Sequence, residues 1–216
     1  MPRPAAALAS VHRPASAAPA GLLFLLHGRG VDEHDLAPLA DALDPGGRLH
    51  VVCPRAPLAL PPGGWHWYIS RRVGFPDPET FMASYRTLGS WATATAEELG
   101  VPWGRTVLGG FSQGAVMCLG LAFGEGRPAP AGVLGFSGFM PQVPQPRLTV
   151  EGHRQVVAAL AHGTLDPVIE VSFGRQARDW LTERELAVVY DESPVGHTID
   201  PAVLPRRAAW LAELLD

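Results

Sequence analysis

Short runs of apolar residues recur along the chain, with predicted helices between them. Within each run the residues are mostly apolar and do not alternate with polar ones, which is typical of strands covered by helices on both faces of a mostly parallel sheet. The pattern therefore predicts an α/β fold with a mostly parallel central sheet. The predicted strands are residues 22–26 (LLFLL), 49–53 (LHVVC), 106–108 (TVL), 133–136 (VLGF), 156–160 (VVAAL) and 186–190 (LAVVY).

Helical stretches follow most of these runs, and the alternation of strand and helix shows no internal repeat and no linker. The first helix follows Asp32, whose side chain is suited to an N-cap. Residues 21–216 are expected to form one domain. Residues 1–20 are expected to form either a loose tail or an antiparallel edge strand around residues 8–12. The predicted helices are residues 34–43, 78–99, 114–123, 168–182 and 205–215.

Composition narrows the class of protein. The 216 residues carry a formal net charge of −4 and their lysines and arginines are scattered, so no basic surface for nucleic acid is predicted. No apolar run approaches the roughly 18–20 residues that span a bilayer, so no membrane insertion is expected. The two cysteines, Cys53 and Cys118, form neither a disulfide framework nor a metal-binding pattern. With no apolar signal segment at the N-terminus, a cytoplasmic protein is predicted.

The stretch 110–114 (GFSQG) fits the G-x-S-x-G pattern and lies between a predicted strand and a predicted helix. In such a turn the serine adopts a strained backbone that exposes its hydroxyl, while the two glycines let strand and helix approach closely. Ser112 is therefore the candidate nucleophile. Ser137 is a weaker candidate, because its neighbours lack the pattern.

A serine hydroxyl needs a histidine base and an acid that orients the histidine. In α/β-hydrolase sites these follow the serine in the order acid, then histidine. His197, in the loop after the last predicted strand, is favoured over His153 and His162. Asp166, in a loop after the fifth predicted strand, is the favoured acid. The remaining candidates for the acid are Asp191 and Glu192.

A second glycine-containing loop, 27–30 (HGRG), follows the first predicted strand. An oxyanion hole takes one N–H donor from the residue after the nucleophile and one from such a loop. The backbone amides of Gln113 and Arg29 are the predicted donors. His27 is expected to shape the loop through its ring nitrogens.

Taken together, these motifs resemble the phospholipase/carboxylesterase family of α/β-hydrolases, which includes acyl-protein thioesterases. The resemblance covers residues 22–215 and implies Ser112, Asp166 and His197 as a catalytic triad. Many members have an apolar residue where this chain has Arg29, so the wall of this cleft is expected to be charged. The matching stretches are LHGRG, GFSQG, FSGFMP (136–141), HGTLDPVI (162–169) and GHTI (196–199).

The resemblance implies an esterase with no metal and no cofactor. Only residues 138–155 separate two predicted strands where related enzymes insert a cap, so no cap domain is expected. Trp67, Tyr68, Phe139 and Met140 are the predicted substrate-binding residues. The expected partner is a small acyl ester or thioester of short to medium chain length; the chain could instead be an acyl-protein thioesterase, a lysophospholipase or a non-catalytic binding protein. The oligomeric state stays open, with a homodimer as the assembly considered.

Overall fold

The structure is a computed structural model that describes residues 7–216, and a seven-stranded sheet lies at its centre. Five strands run parallel to β2, and only β1 is antiparallel, against β3. The sheet order is β1-β3-β2-β8-β9-β10-β11, and β4 pairs with β5 and β6 with β7 in two small antiparallel ladders. The strands are β1 Ser10–Arg13, β2 Gly21–Leu26, β3 Leu49–Pro54, β4 Leu58–Ala59, β5 Trp65–His66, β6 Ser70–Arg72, β7 Phe75–Pro76, β8 Thr106–Phe111, β9 Gly132–Phe136, β10 Val157–Gly163 and β11 Val188–Ser193.

Helices cover both faces of the sheet, which confirms the predicted α/β-hydrolase arrangement. Alternate residues of one strand belong to opposite cores: Leu22, Phe24 and Leu26 pack towards α2, α3 and α4, whereas Leu23 and Leu25 pack towards α1 and α5. The unbroken apolar runs of the sequence follow from this double coverage. The helices are α1 Leu39–Leu43, α2 Pro78–Glu98, α3 Gln113–Phe123, α4 Val171–Thr182 and α5 Leu204–Leu214, with short 3-10 turns at Trp103–Arg105 and Pro201–Val203.

Two predicted helix starts are wrong. The helix predicted from residue 34 begins at Leu39, and Asp32 is not its N-cap: its carboxylate accepts a hydrogen bond from His34 N–H in the preceding turn. The helix predicted from residue 168 begins at Val171. In both places a short polar side chain closes a local turn, which competes with helix formation.

The strand predicted at residues 106–108 extends to Phe111 through two glycines. Close packing explains the glycines, since a Cβ atom on Gly109 would lie 2.9 Å from both the Leu25 side chain and the Phe24 carbonyl oxygen. Between β9 and β10, residues 137–156 contain neither a helix nor a named strand, so no cap covers the sheet edge there. Within residues 7–216 no helix is both long and apolar enough to cross a membrane.

Candidate active site

Ser112 lies at the sharp turn where β8 ends and α3 begins. Its φ of 52° and ψ of −120° are unusual for a residue with a side chain, and such strain costs on the order of 1–3 kcal/mol. The flanking glycines are required by contact: a Cβ atom on Gly110 would lie 2.5 Å from the backbone of Gly114, and one on Gly114 would lie 2.0 Å from the carbonyl oxygen of Leu26. The turn therefore depends on the glycine at both positions.

Three side chains form a hydrogen-bonded chain at the carboxyl edge of the sheet. His197 Nε2 lies 3.0 Å from Ser112 Oγ, and His197 Nδ1 lies 2.7 Å from Asp166 Oδ2. The ring of Phe111 packs against the His197 imidazole at 4.8 Å between ring centroids, which limits the orientations of the imidazole. The structure thus brings Ser112, Asp166 and His197 together from three separate loops.

The carboxylate of Asp166 is completely buried and accepts several hydrogen bonds. Its Oδ1 accepts the N–H groups of Val168 and Ile169, both at 2.8 Å, and its Oδ2 faces His197. Burial alone would raise the pKa of Asp166, but the hydrogen bonds from His197, Ile169 and Val168 outweigh it and hold the pKa below its ordinary value. Asp166 is therefore ionised and held in one orientation.

The loop after β2 places a second set of groups beside Ser112. His27 Nε2 accepts the N–H of Ala56 at 3.0 Å, so the ring proton is on Nδ1, which donates to the carbonyl oxygen of Gly28 at 2.6 Å. Burial lowers the pKa of His27 and keeps the ring neutral. Because the peptide bond is planar and trans, a fixed Gly28 carbonyl also fixes the direction of the Arg29 N–H.

Gln113 contributes its backbone and its side chain to different tasks. As the first residue of α3, its N–H has no acceptor within the helix. The side chain accepts the Trp67 N–H at 3.0 Å and donates to the Tyr68 carbonyl at 2.9 Å. The side chain therefore holds the loop after β5, while the backbone N–H of Gln113 is left beside Ser112 at the cleft.

A cleft of about 310 Å³ lies over these groups, and only two of the four predicted substrate-binding residues line it. Tyr68 and Phe139 form part of its wall. Trp67 does not: its ring is fully buried beneath the loop and donates from Nε1 to the His27 carbonyl at 2.8 Å. Met140 faces a separate cavity of about 210 Å³. The lining residues are Gly28, Arg29, Val31, Asp35, Tyr68, Ser70, Val73, Phe111, Ser112, Gln113, Phe139, Val168, Ile169 and His197.

Comparison with known proteins places the chain in a family. The family model described as Phospholipase/Carboxylesterase matches residues 6–213. The chain belongs to this family. Acyl-protein thioesterase 1 of Debaryomyces hansenii is 28% identical over 196 residues, which cover 82% of this chain and 81% of that protein.

Solved structures agree with this assignment of the fold. The carboxylesterase of Bacillus cereus superposes with a TM-score of 0.83 at 22% identity and covers 96% of this chain and 94% of its own. Esterase PE8 superposes with a TM-score of 0.82 at 27% identity over 96% of this chain and 99% of its own. The fold of this member of the phospholipase/carboxylesterase family is therefore that of known esterases.

The other candidates for the nucleophile, the base and the acid lie outside the hydrogen-bonded chain of Ser112, His197 and Asp166 in this family member. Asp191 pairs with Arg206 and Arg207, and Glu192 pairs with Arg175. The ring nitrogens of His153 contact two backbone carbonyls, those of Glu151 and Arg127. Ser137 is buried at the end of β9 and has a positive φ of 50°. Among the described residues no group of three or more His, Cys, Asp or Glu could hold a metal ion.

Sequence reasoning missed several residues of the cleft wall. Val31, Asp35 and Val73 come from loops whose path depends on how α1 and the two small ladders pack. For Val168 and Ile169 the sequence did hold a signal. Both lie in the HGTLDPVI stretch of the resemblance, in which only Asp166 is assigned a role.

Proposed function

We propose that the protein is a serine esterase that cleaves short- to medium-chain acyl esters or thioesters through an acyl-enzyme on Ser112. The observation that carries the proposal is the hydrogen-bonded chain from Ser112 through His197 to Asp166 at the floor of the cleft. A nucleophile, a base and a group that orients the base are the parts that covalent acyl transfer requires.

The acylation step follows from these positions. Ser112 Oγ attacks the carbonyl carbon of the substrate as His197 Nε2 takes its proton, and the buried Asp166 carboxylate stabilises the imidazolium. The N–H groups of Arg29 and Gln113 donate to the oxygen that becomes negatively charged. The tetrahedral intermediate then expels the alcohol or thiol, which receives the proton from His197.

Deacylation repeats the sequence with water in place of Ser112. His197 removes a proton from the water as its oxygen attacks the acyl-enzyme, and the proton then passes to Ser112 Oγ as the carboxylic acid leaves. The net reaction is ester or thioester plus water to acid plus alcohol or thiol.

The size and composition of the cleft support a small acyl group. Its volume of about 310 Å³ lies at the lower end of the roughly 300–1,000 Å³ usual for small-molecule sites. Tyr68, Val73 and Phe139 provide apolar wall, while Arg29 and Asp35 bring charge to the same cleft. Short to medium acyl chains fit this combination best.

A second candidate activity is acyl-protein thioesterase, which is what the relative from Debaryomyces hansenii is named for. The absence of an inserted cap in residues 137–156 favours it, because an uncovered cleft could receive an acyl group that is attached to a larger partner. A lysophospholipase would use the same groups on a longer chain.

The test is covalent labelling combined with a substrate series. The protein is treated with a fluorophosphonate and its intact mass measured, and hydrolysis is followed for p-nitrophenyl esters from acetate to palmitate and for thioesters of the same acids. We expect one adduct per chain and fastest turnover of short or medium esters. Preference for palmitoyl thioesters would favour the thioesterase, and a chain that neither labels nor turns over would be a binding protein.

Phe139 separates the cleft from the second cavity, which holds Met140, and it lines both. Its ring packs against that of Phe173 at 5.6 Å between centroids. Phe139→Ala is expected to join the two spaces and to shift the preferred p-nitrophenyl ester towards longer chains, with several-fold higher kcat/KM for the longer esters. Met140→Ala, which enlarges only the second cavity, is the matched control. An unchanged chain-length profile in Phe139→Ala would contradict this assignment of the wall.

We also propose a cytoplasmic setting for the enzyme. Cys53 and Cys118 are both free and buried, and burial raises the pKa of Cys53 to about 12. Neither thiol is therefore available as a reactive thiolate or as half of a disulfide. Cysteines that stay free are usual in a reducing compartment such as the cytoplasm.

A homodimer stays a prediction.

A further inference from the structure

A second histidine lies directly behind the Asp166 loop. The side chain of His162, near the end of β10, is only 1% exposed. Its Nε2 lies 2.8 Å from the carbonyl oxygen of Ile169 and 3.5 Å from Asp166 Oδ2. Both neighbours are acceptors, so the ring proton must be on Nε2. Burial lowers the pKa of His162, which keeps the ring neutral.

The contact with Ile169 links His162 to the far side of the same carboxylate. The carbonyl group of Ile169 accepts from His162, and the N–H of Ile169 donates to Asp166 Oδ1 at 2.8 Å. The His162 ring thus holds the turn whose N–H group binds Asp166 Oδ1, and it directs its own Nε2–H dipole towards Asp166 Oδ2. At 3.5 Å the second contact is too long for a good hydrogen bond and acts electrostatically.

Helix α4 holds the other edge of this ring. A Cβ atom on Gly174 would lie 2.5 Å from His162 Nδ1 and 3.0 Å from Tyr190 Oη, so only a glycine lets the helix approach this closely. The ring is therefore enclosed between β10, α4 and the Asp166 loop. The titratable or charged groups around it are Asp166 and His197 in the loops, Tyr190 and Glu192 on β11, and Arg175 and Arg178 on α4, which contact Glu192 and Tyr190.

We propose that His162 is a positioning residue for the acid of the site: it fixes the Asp166–Ile169 turn and stabilises the carboxylate that orients His197. This inference rests on the proposed esterase function. His162 touches neither the cleft nor Ser112, and acts only through Asp166. Without the His162 N–H, the Asp166 carboxylate is less stabilised. It then attracts the proton on His197 Nδ1 more strongly.

The test compares His162→Leu, which removes the donor, with His162→Gln, whose amide reaches about as far as Nε2. Fluorophosphonate titration counts the active sites, so that rates are expressed per competent molecule. For His162→Leu we expect kcat about tenfold lower with KM nearly unchanged. We expect the acid limb of its kcat/KM profile to move about half a pH unit higher. His162→Gln is expected to restore most of the wild-type kcat and to return the acid limb close to its wild-type position.

The outcomes separate this inference from the proposed function. If wild type neither labels nor turns over, the esterase proposal itself fails. If wild type is active and His162→Leu has the same kcat per titrated site and the same acid limb, His162 is only a packing residue and the inference is wrong. Should His162→Leu not fold, His162→Asn serves the same comparison, because its shorter amide does not reach the Ile169 carbonyl.

Discussion

Ser112→Ala is expected to lower kcat by a factor on the order of 10⁴–10⁶ and to abolish fluorophosphonate labelling. The variant keeps the cleft and the proposed oxyanion donors, but it lacks the oxygen that lies 3.0 Å from His197 Nε2. The loss should therefore appear in kcat and leave binding of a carboxylate product nearly unchanged. Initial rates on p-nitrophenyl butyrate and intact mass after labelling measure both effects.

Ser137→Ala is the matched control for this experiment. Ser137 is also buried, also has a positive φ and also follows a phenylalanine at the end of a central strand. We expect it to keep its label and to lose at most a few-fold in kcat. Turnover that survives in Ser112→Ala, or label that is lost in Ser137→Ala instead, would show that the nucleophile lies elsewhere.

Asp166→Asn is expected to lower kcat by about 10⁴ with little change in the fold. The two N–H donors from Val168 and Ile169 hold Oδ1, so the amide oxygen of asparagine takes that place. The NH₂ group must then face His197 Nδ1 and donate to it. The ring proton moves to Nε2, which can no longer accept the proton of Ser112.

Glu192→Gln provides the comparison, since Glu192 was one of the rival acids and pairs with Arg175 at the surface. Its kcat is expected to stay within about threefold of wild type.

Acid unfolding adds a second test of Asp166. The pKa of Asp166 is below its ordinary value in the fold, so the carboxylate contributes stability above about pH 4 that is lost as the pH falls. Asp166→Asn should lack this loss; equal activity in Asp166→Asn and wild type would refute the role.

The alternation of apolar runs and helices was enough to predict the mostly parallel sheet, because each buried run had to be covered on both faces. The positions of Ser112, Asp166 and His197 could be predicted since each follows a strand, and parallel strands deliver their carboxyl ends to one edge. The roles of these residues remain predictions until the substitutions are made.

Other features depend on packing that no local pattern contains. Trp67 and Tyr68 are adjacent, and the sequence offered no reason to separate them. The side chain of Gln113 holds this loop from 46 residues away. The predicted start of the first helix is wrong for a local reason, because Asp32 closes a turn instead of capping a helix. The sequence offers His162 only as a less favoured candidate for the base; its position between α4 and Asp166 is visible only in the fold.

The left-handed backbone at Ser112 places stability and chemistry in opposition at one position. A glycine would adopt φ 52° and ψ −120° with little strain, but it would have no oxygen to offer. Selection for folding alone would therefore replace this serine, and selection for catalysis alone would keep it. The dihedral angle alone does not mark the nucleophile, since Ser137 has a φ of 50° as well; at position 112 the strained backbone coincides with the contact at 3.0 Å to His197 Nε2.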